Sequence, residues 1–155
     1  MSGRLRAAVL ALAMCGVVVV LDQASKYVVR DRIGRGDEVE VLPFLDLTNT
    51  RNKGVAFGMA DGVSPVLIGA TMLLLLGLLV YLGGRGRVGV AIWLPAGLLI
   101  GGALGNLADR VRDGAVTDFV DLPFWATFNL ADVAIVAGVF LLILLPERER
   151  DPPES

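Results

Sequence analysis

The sequence predicts an all-α membrane protein with four transmembrane helices, a small extracytoplasmic section that contains β-strands, and a second extracytoplasmic loop. The first observation is composition: 55% of the 155 residues are hydrophobic, only 19% are charged, and the mean hydropathy is +0.69. Ordinary soluble domains are about 25% charged. The second is that apolar stretches close to the roughly 20 residues needed to cross a bilayer recur along the chain, with polar sections between them. The length suits a single domain, 1–155.

Composition also restricts the chemistry. The chain has no histidine, which excludes Ser-His and Cys-His catalysis and the usual zinc sites. Its single cysteine, Cys15, lies in an apolar run and cannot form an internal disulfide, so a buried, inert thiol is expected. The net charge of −2, without a basic block, argues against nucleic acid as a partner. No cofactor is expected.

The first span is predicted at 7–29. Its start can also be interpreted as a signal peptide, because residues 12–15 faintly resemble a lipoprotein cleavage box. However, Met14 is larger than the residue expected before the cysteine and the apolar run continues, which favours a retained span. Asp22 and Lys26 are four apart and share one helix face. They form either an ion pair that closes the helix or a polar wall beside a site.

The polar section 30–63 predicts short strands and a turn. Apolar residues alternate on either side of a proline, at Val39, Val41, Leu45 and Leu47 around Pro43. This pattern is typical of strands with the proline at an edge or bend. Residues 49–58 follow and, taken alone, predict a turn, because Asn and Gly tolerate left-handed backbone.

Three further spans are predicted at 64–82, 88–107 and 129–145. The second of these has glycines at 97, 101 and 105, a spacing that lets another helix approach closely and indicates a packing face. The tail 146–155 alternates in charge and is expected to be disordered. Four spans place both termini on one side of the membrane and the sections 30–63 and 108–128 on the other. Arg4 and Arg6 before the first span favour cytoplasmic termini.

The stretch 106–132 carries five aspartates between two apolar segments: Asp109, Asp113, Asp118, Asp121 and Asp132. An ionised side chain near the centre of a membrane helix costs roughly 2.5–3.5 kcal/mol on insertion scales, so acidic groups there indicate function. The topology gathers these aspartates and the end of the first span at one membrane face. Asp132 lies about three residues into its helix, about 4.5 Å from the helix start, and therefore at the interface.

A carboxylate pair is the chemistry most available to this face. Two aspartates held close together cannot both ionise easily, so one keeps a proton while the other acts as a base on water. The residues alone leave open which two of the five form the pair, since Asp109 with Arg110 or Asp118 with Asp121 can equally be structural pairs. A divalent-metal site is a further alternative, although no coordination geometry is fixed.

A small four-span transporter or channel subunit is the main alternative function. Such a protein can also place Asp and Lys at a membrane face to relay ions. It predicts polar residues that continue across the membrane, whereas the middles of 64–82 and 129–145 have almost none.

Five ordered blocks resemble the bacterial lipoprotein signal peptidases, the signal peptidase II family, over about residues 20–135. The blocks are Asp22-x-x-x-Lys26, Asn52-x-Gly54-x-Ala56-Phe57, Gly105-Asn106-x-x-Asp109-Arg110, Val116-x-Asp118-Phe119 and Phe128-Asn129-x-Ala131-Asp132. The resemblance implies that Asp118 and Asp132 are the catalytic dyad of an aspartic endopeptidase. It also implies residues that surround the dyad or hold substrate: Asp22, Lys26, Asn52, Gly54, Ala56, Phe57, Asn106, Asp109, Arg110 and Asn129.

The implied substrate is a prolipoprotein that carries diacylglycerol on a cysteine and is cut on the amino side of that cysteine. The implied location is the bacterial cytoplasmic membrane, with cytoplasmic termini and the site at the outer face. Membrane lipids are the other expected partner, and a monomer without metal is expected.

Overall fold

The structure is a computed structural model that describes residues 3–53, 77 and 90–144. These residues form three helices and three strands: α1 (Gly3–Arg32), β1 (Glu38–Leu42), β2 (Leu45–Asn52), α2 (Val90–Asp113), β3 (Val116–Asp121) and α3 (Leu130–Leu144).

Two of these helices, α1 and α2, contain segments long and apolar enough to cross a membrane, Leu5–Arg32 and Ile92–Asp113, and α3 is a shorter apolar helix. They correspond to the spans predicted at 7–29, 88–107 and 129–145, but α1 and α2 continue beyond residues 29 and 107. In these extensions Arg30 of α1 and Asp109 and Arg112 of α2 join the polar network described below, whereas Asp31 and Arg32 are exposed and pair with each other. The span predicted at 64–82 lies outside the described residues apart from Gly77, which is helical, and the tail 146–155 lies outside them as well. The four-span count therefore stays a prediction.

Close helix packing depends on the glycines of α2. A Cβ atom added at Gly97 would lie 2.7 Å from the Ala11 carbonyl oxygen, and one at Gly101 would lie 2.8 Å from Val18 Cβ. At Gly105 it would lie 2.6 Å from a carboxylate oxygen of Asp22. All three contacts are with α1, so the packing face predicted from the glycine spacing is confirmed. Gly102 faces α3 instead, which places α2 between α1 and α3.

The three strands form one antiparallel sheet in the order β1-β2-β3. Pro43 lies in the turn between β1 and β2, as the alternating pattern predicts. One face of the sheet packs on the ends of the helices through a small apolar cluster: Val29, Ile33, Leu47, Phe119, Val120 and Leu130. The sheet is thereby fixed at the end of the helix bundle where α1 and α2 finish and α3 begins.

Two predictions for the polar sections are wrong. Residues 49–52 belong to β2 and not to a turn, because they pair with β3, with Thr50 opposite Asp118 and Asn52 opposite Val116. The section 108–128, predicted as a loop, contributes β3. Asn and Asp favour turns when considered locally, but pairing with a strand distant in sequence satisfies their backbone here. The rest of the predicted turn, 54–58, lies outside the described residues.

Candidate active site

The first turn of α3 positions Asp132. Asn129 precedes the helix, and its side-chain oxygen accepts a hydrogen bond from the backbone N–H of Asp132 at 3.1 Å. In return, the backbone N–H of Asn129 donates to Asp132 Oδ2 at 3.1 Å. This reciprocal arrangement is a capping box, which satisfies two N–H groups at the helix start. It follows from the Asn-Leu-Ala-Asp spacing and fixes the Asp132 carboxyl at the start of the helix.

The second carboxyl of the site belongs to Asp118, which lies in β3 with 1% of its surface exposed. Asn129 Nδ2 donates to its Oδ1 at 2.6 Å, and Asn52 Nδ2 donates to its Oδ2 at 2.8 Å. The side-chain amide of Asn129 therefore contacts both predicted dyad residues, the Asp118 carboxyl through its nitrogen and the Asp132 backbone through its oxygen. Asp118 and Asp132 are thus held near each other by contacts with the same side-chain amide, that of Asn129.

The environment of Asp118 favours its protonated form. Burial raises the pKa of Asp118 above its usual value, and the neighbouring charge of Asp132 acts in the same direction. Hydrogen bonds from Asn52 and Asn129 and the charge of Lys26 oppose the shift without cancelling it. A carboxyl with a raised pKa beside a second carboxyl is an arrangement that can hold one proton between the two.

A third amide, that of Asn106, holds Asp132 from α2. Asn106 Nδ2 donates to Asp132 Oδ1 at 2.8 Å. Its oxygen accepts hydrogen bonds from Lys26 Nζ at 2.9 Å and from Asn129 Nδ2 at 3.1 Å. Because two donors hold the Asn106 oxygen, its nitrogen has to point at Asp132.

Lys26 is the centre of the supporting network, and no part of its side chain is exposed. Its ammonium lies 2.8 Å from Asp22 Oδ2 and 3.0 Å from Asp109 Oδ2, and both carboxylates are also fully buried. A buried charge of this kind needs paired partners, because desolvation is expensive. Asp22 also accepts the backbone N–H of Ala131 at 3.0 Å, at the start of α3. Asp22 and Lys26 form the ion pair that their spacing predicts, but this pair does not close the helix, because α1 continues to Arg32. Lys26 also donates to Asn106, whose amide holds Asp132, so the pair lies next to the candidate dyad.

The other aspartates have structural partners. Asp109 accepts the backbone N–H of Thr117 at 3.2 Å, which ties the end of α2 to β3. Asp113 lies among three arginines at 3.0–3.7 Å: Arg30, Arg51 and Arg112. Asp121 pairs in the sheet opposite Asp46. The pairings of Asp109 with Arg110 and of Asp118 with Asp121, considered from sequence, are replaced by Asp109 with Lys26 and Asp118 with Asn52 and Asn129.

Two supporting residues were missed from sequence. Gln23 Nε2 lies 3.1 Å from Asp22 Oδ2 and 3.0 Å from Asp109 Oδ1, but an uncharged residue in an apolar helix gives no signal of this. Arg30 donates to Thr117 Oγ1 at 3.2 Å. Its position four residues after Lys26, on the same helix face, is a signal that can identify it.

Arg110 differs from the other site residues because its hydrogen bonds are incomplete. Its Nη1 donates to the Asn106 carbonyl oxygen at 3.4 Å, whereas its buried Nε has no hydrogen-bond partner among the described residues. Gly54, Ala56 and Phe57 lie outside those residues. Across residues 3–53, 77 and 90–144, no three His, Cys, Asp or Glu side chains are grouped to hold a metal ion.

A family profile described as signal peptidase (SPase) II matches residues 14–146. The chain belongs to the signal peptidase II family. A lipoprotein signal peptidase of Moorella thermoacetica is 40% identical over 147 residues, which cover 91% of this chain and 98% of that relative. One of Coxiella burnetii is 40% identical over 136 residues, 83% of each chain. These matches give no support to the transporter or channel alternative.

Two solved structures share the fold of this chain. A bacterial membrane enzyme superposes with a TM-score of 0.80 at 33% identity, covering 86% of this chain and 90% of its own. A second gives a TM-score of 0.78 at 31% identity, with 91% and 94% covered. The protein is a bacterial membrane protein of this family.

Proposed function

We propose that this signal peptidase II family member removes the signal peptide from diacylglyceryl-modified prolipoproteins as an aspartic endopeptidase. Asp118 and Asp132 are the catalytic residues, and they cut the bond on the amino side of the lipidated cysteine. The observation that carries the proposal is the shared amide of Asn129, which contacts the Asp118 carboxyl and the Asp132 backbone together.

The two carboxyls divide the chemistry of amide hydrolysis. The ionised carboxylate takes a proton from water while the water oxygen attacks the scissile carbonyl carbon, and the protonated carboxyl donates its proton to the carbonyl oxygen. Collapse of the tetrahedral species breaks the C–N bond: the leaving amine receives the proton that the first carboxyl took from water, and the second carboxylate takes a proton back from a hydroxyl of the tetrahedral carbon, which restores the starting pair. The amides of Asn106 and Asn129 hold the carboxyls in place, as such a pair requires.

The position of the site suits a lipid-anchored substrate. The dyad lies where α1 and α2 end and α3 begins, so a peptide bond close to a membrane-embedded acyl anchor can reach it. We place this end of the helices at the outer face of the cytoplasmic membrane, with cytoplasmic termini and a monomeric protein. Arg110 and Asn52, beside Asn106 and Asp118, are then candidates to contact the peptide.

The direct test uses purified protein in detergent with a diacylglyceryl-modified prolipoprotein. The expected product begins at the lipidated cysteine, as identified by mass spectrometry. A matched substrate that has serine in place of that cysteine, and therefore no lipid, should be left intact. Cleavage of both substrates at similar rates, or at another bond, would contradict the proposal.

Chelation should leave the rate unchanged, because the two carboxyls activate water without a metal. The measurement compares cleavage before and after incubation with EDTA, followed by dialysis. Loss of activity that returns on adding a divalent ion would instead support metal-assisted hydrolysis.

The rate should depend on pH as a bell, because the dyad works with one proton. At low pH both carboxyls are protonated and no base remains, and at high pH both are ionised and no acid remains. Since burial raises the pKa of Asp118, the alkaline limit should lie above the ordinary aspartate value of about 3.9. A cleavage rate that rises steadily from acid to alkali, in protein shown to be folded throughout, would exclude a shared proton.

A further inference from the structure

A tight turn between the two candidate catalytic aspartates displays two aromatic rings. The backbone N–H of Trp125 donates to the Leu122 carbonyl oxygen at 3.1 Å, with Pro123 and Phe124 between them. Phe124 has a φ of 67°, in a position of the turn where glycine is usual after proline. A bulky residue in this backbone region is strained. The Phe124 side chain is nevertheless fully exposed, and 71% of Trp125 is exposed, so packing among residues 3–53 and 90–144 does not explain the strain.

The turn between β1 and β2 adds a third exposed aromatic at the same end of the sheet. Phe44 lies in that turn and is 62% exposed. Asp46, two residues later, pairs with Asp121, the last residue of β3. The turn 122–125 follows β3 directly, so both turns lie at the same end of the strands, on the margin of the sheet. We call Phe44, Phe124 and Trp125 the aromatic edge.

Part of the aromatic edge lies only a few residues before an apolar helix. Trp125 precedes the first residue of α3 by only five positions, and the outer surface of α3 is apolar and exposed at Val136, Phe140 and Ile143. Tryptophan next to a membrane helix concentrates at the headgroup level, where an apolar ring with a polar N–H is stable, and the neighbouring phenylalanine rings add apolar surface that favours burial in lipid.

The charge pattern of β1 indicates which face of the sheet lies toward the membrane helices. Val39 pairs with Leu47, which packs against the helix ends, and Val39 stays about half exposed at the sheet margin. The alternating neighbours Glu38 and Glu40 project from the opposite face of the strand. The apolar face of the sheet margin is thus on the side of the helices, and the acidic face is on the side away from them.

We infer that the aromatic edge inserts among the phospholipid headgroups at the end of the helices that holds the site. Because Phe124 and Trp125 lie on the segment that joins Asp118 to Asp132, their insertion sets the depth of the dyad relative to the membrane. The aromatic edge contacts bilayer lipid, and this inference holds whether or not the protein is an aspartic peptidase.

The test uses Trp125 as its own probe. The chain has two tryptophans, so Trp93→Phe leaves Trp125 alone. This variant is reconstituted into phosphatidylcholine vesicles that contain lipids brominated either near the headgroup or near the chain terminus. We expect blue-shifted emission and stronger quenching by the shallow bromines than by the deep ones. Water-like emission with full quenching by acrylamide and none by brominated lipid would overturn the inference. Protection from acrylamide without lipid quenching, in protein that runs as a dimer, would also overturn it and assign the edge to a second copy.

A matched pair of variants tests the effect on activity. Phe124→Gly removes the ring and suits the positive φ, so the turn should form at least as well, whereas Phe124→Tyr keeps an interfacial aromatic. We expect a several-fold higher KM for lipidated substrate in vesicles with Phe124→Gly, little change with Phe124→Tyr, and no difference between them in detergent micelles. Equal KM values for both variants in vesicles would contradict a role in setting depth. The fluorescence result stands whether or not the protein proves to be the proposed peptidase.

Discussion

Asp118→Asn and Asp132→Asn should each lower the cleavage rate of a lipidated prolipoprotein by on the order of 10²- to 10⁴-fold, the usual contribution of a positioned acid or base. Asparagine keeps the shape of aspartate but cannot carry or accept the transferred proton. Cleavage is measured with the purified variants under single-turnover conditions, so that substrate binding does not limit the result. Asp121→Asn, in the same strand but paired with Asp46 in the sheet, is the control and should retain activity.

The Asp118→Asn protein should remain folded, for a reason visible in the site. Asp118 has a higher pKa in the folded protein than in the unfolded chain, so the folded state binds its proton more tightly. The stability that protonated Asp118 contributes is therefore lost as the pH rises from the pKa of the unfolded chain through the raised pKa of the folded protein. The uncharged amide avoids that loss. Its side-chain oxygen can keep the hydrogen bond from Asn129 Nδ2, and its NH₂ group then faces Asn52, which lies at the exposed end of β2.

Asp132→Asn is expected to be somewhat less stable than Asp118→Asn. Asp132 accepts one hydrogen bond on each carboxylate oxygen, from Asn106 and from the backbone of Asn129. An amide can keep only one of them, and losing a capping interaction typically costs about 1 kcal/mol. Thermal unfolding in detergent measures this difference. Near wild-type turnover by either folded variant would show that the dyad is assigned to the wrong residues.

Lys26→Met should destabilise the protein by roughly 3–5 kcal/mol, the usual effect of breaking a buried ion pair by removing one partner. The substitution leaves the fully buried carboxylates of Asp22 and Asp109 without their shared cation. It also removes one of the two donors that orient Asn106. The measurement is the free energy of unfolding in mixed micelles as denaturing detergent is added.

The matched control for Lys26→Met is Arg32→Met at the end of the same helix. Arg32 pairs with Asp31 at 3.2 Å, but both side chains are largely exposed, and such pairs contribute about 0–1 kcal/mol. If the two variants lost equal stability, the buried network would not be a major support of the fold. Neutralising the stranded acids, with Asp22→Asn and Asp109→Asn added to Lys26→Met, should recover part of the loss.

Features with fixed local spacing could be predicted from the sequence. Asn129 and Asp132 are three apart at a helix start, and they form the reciprocal cap that this spacing allows. The glycines four apart in α2 meet α1 as expected. Asp22 and Lys26, four apart, form the expected ion pair. In each case helical geometry alone determines which side chains meet.

Features that depend on distant pairing could not be predicted in this way. Asn52 reaches Asp118 across 66 residues because β2 pairs with β3, and a local interpretation of Asn49 and Asn52 predicted a turn instead. Gln23 reaches Asp109 across 86 residues through an uncharged amide. The choice of Asp118 and Asp132 among five aspartates came from the family resemblance, since composition and spacing left it open.

The most direct test of a shared-proton dyad is a double-mutant cycle on single-turnover cleavage of a lipidated prolipoprotein in vesicles. It compares the wild type with Asp118→Asn, Asp132→Asn and the protein that carries both substitutions. Residues that act as one catalytic unit are strongly non-additive, so the double variant is predicted to be no slower than the slower single variant. Rate losses that multiply in the double variant would mean that the two carboxyls act independently, and would contradict a dyad that holds one proton.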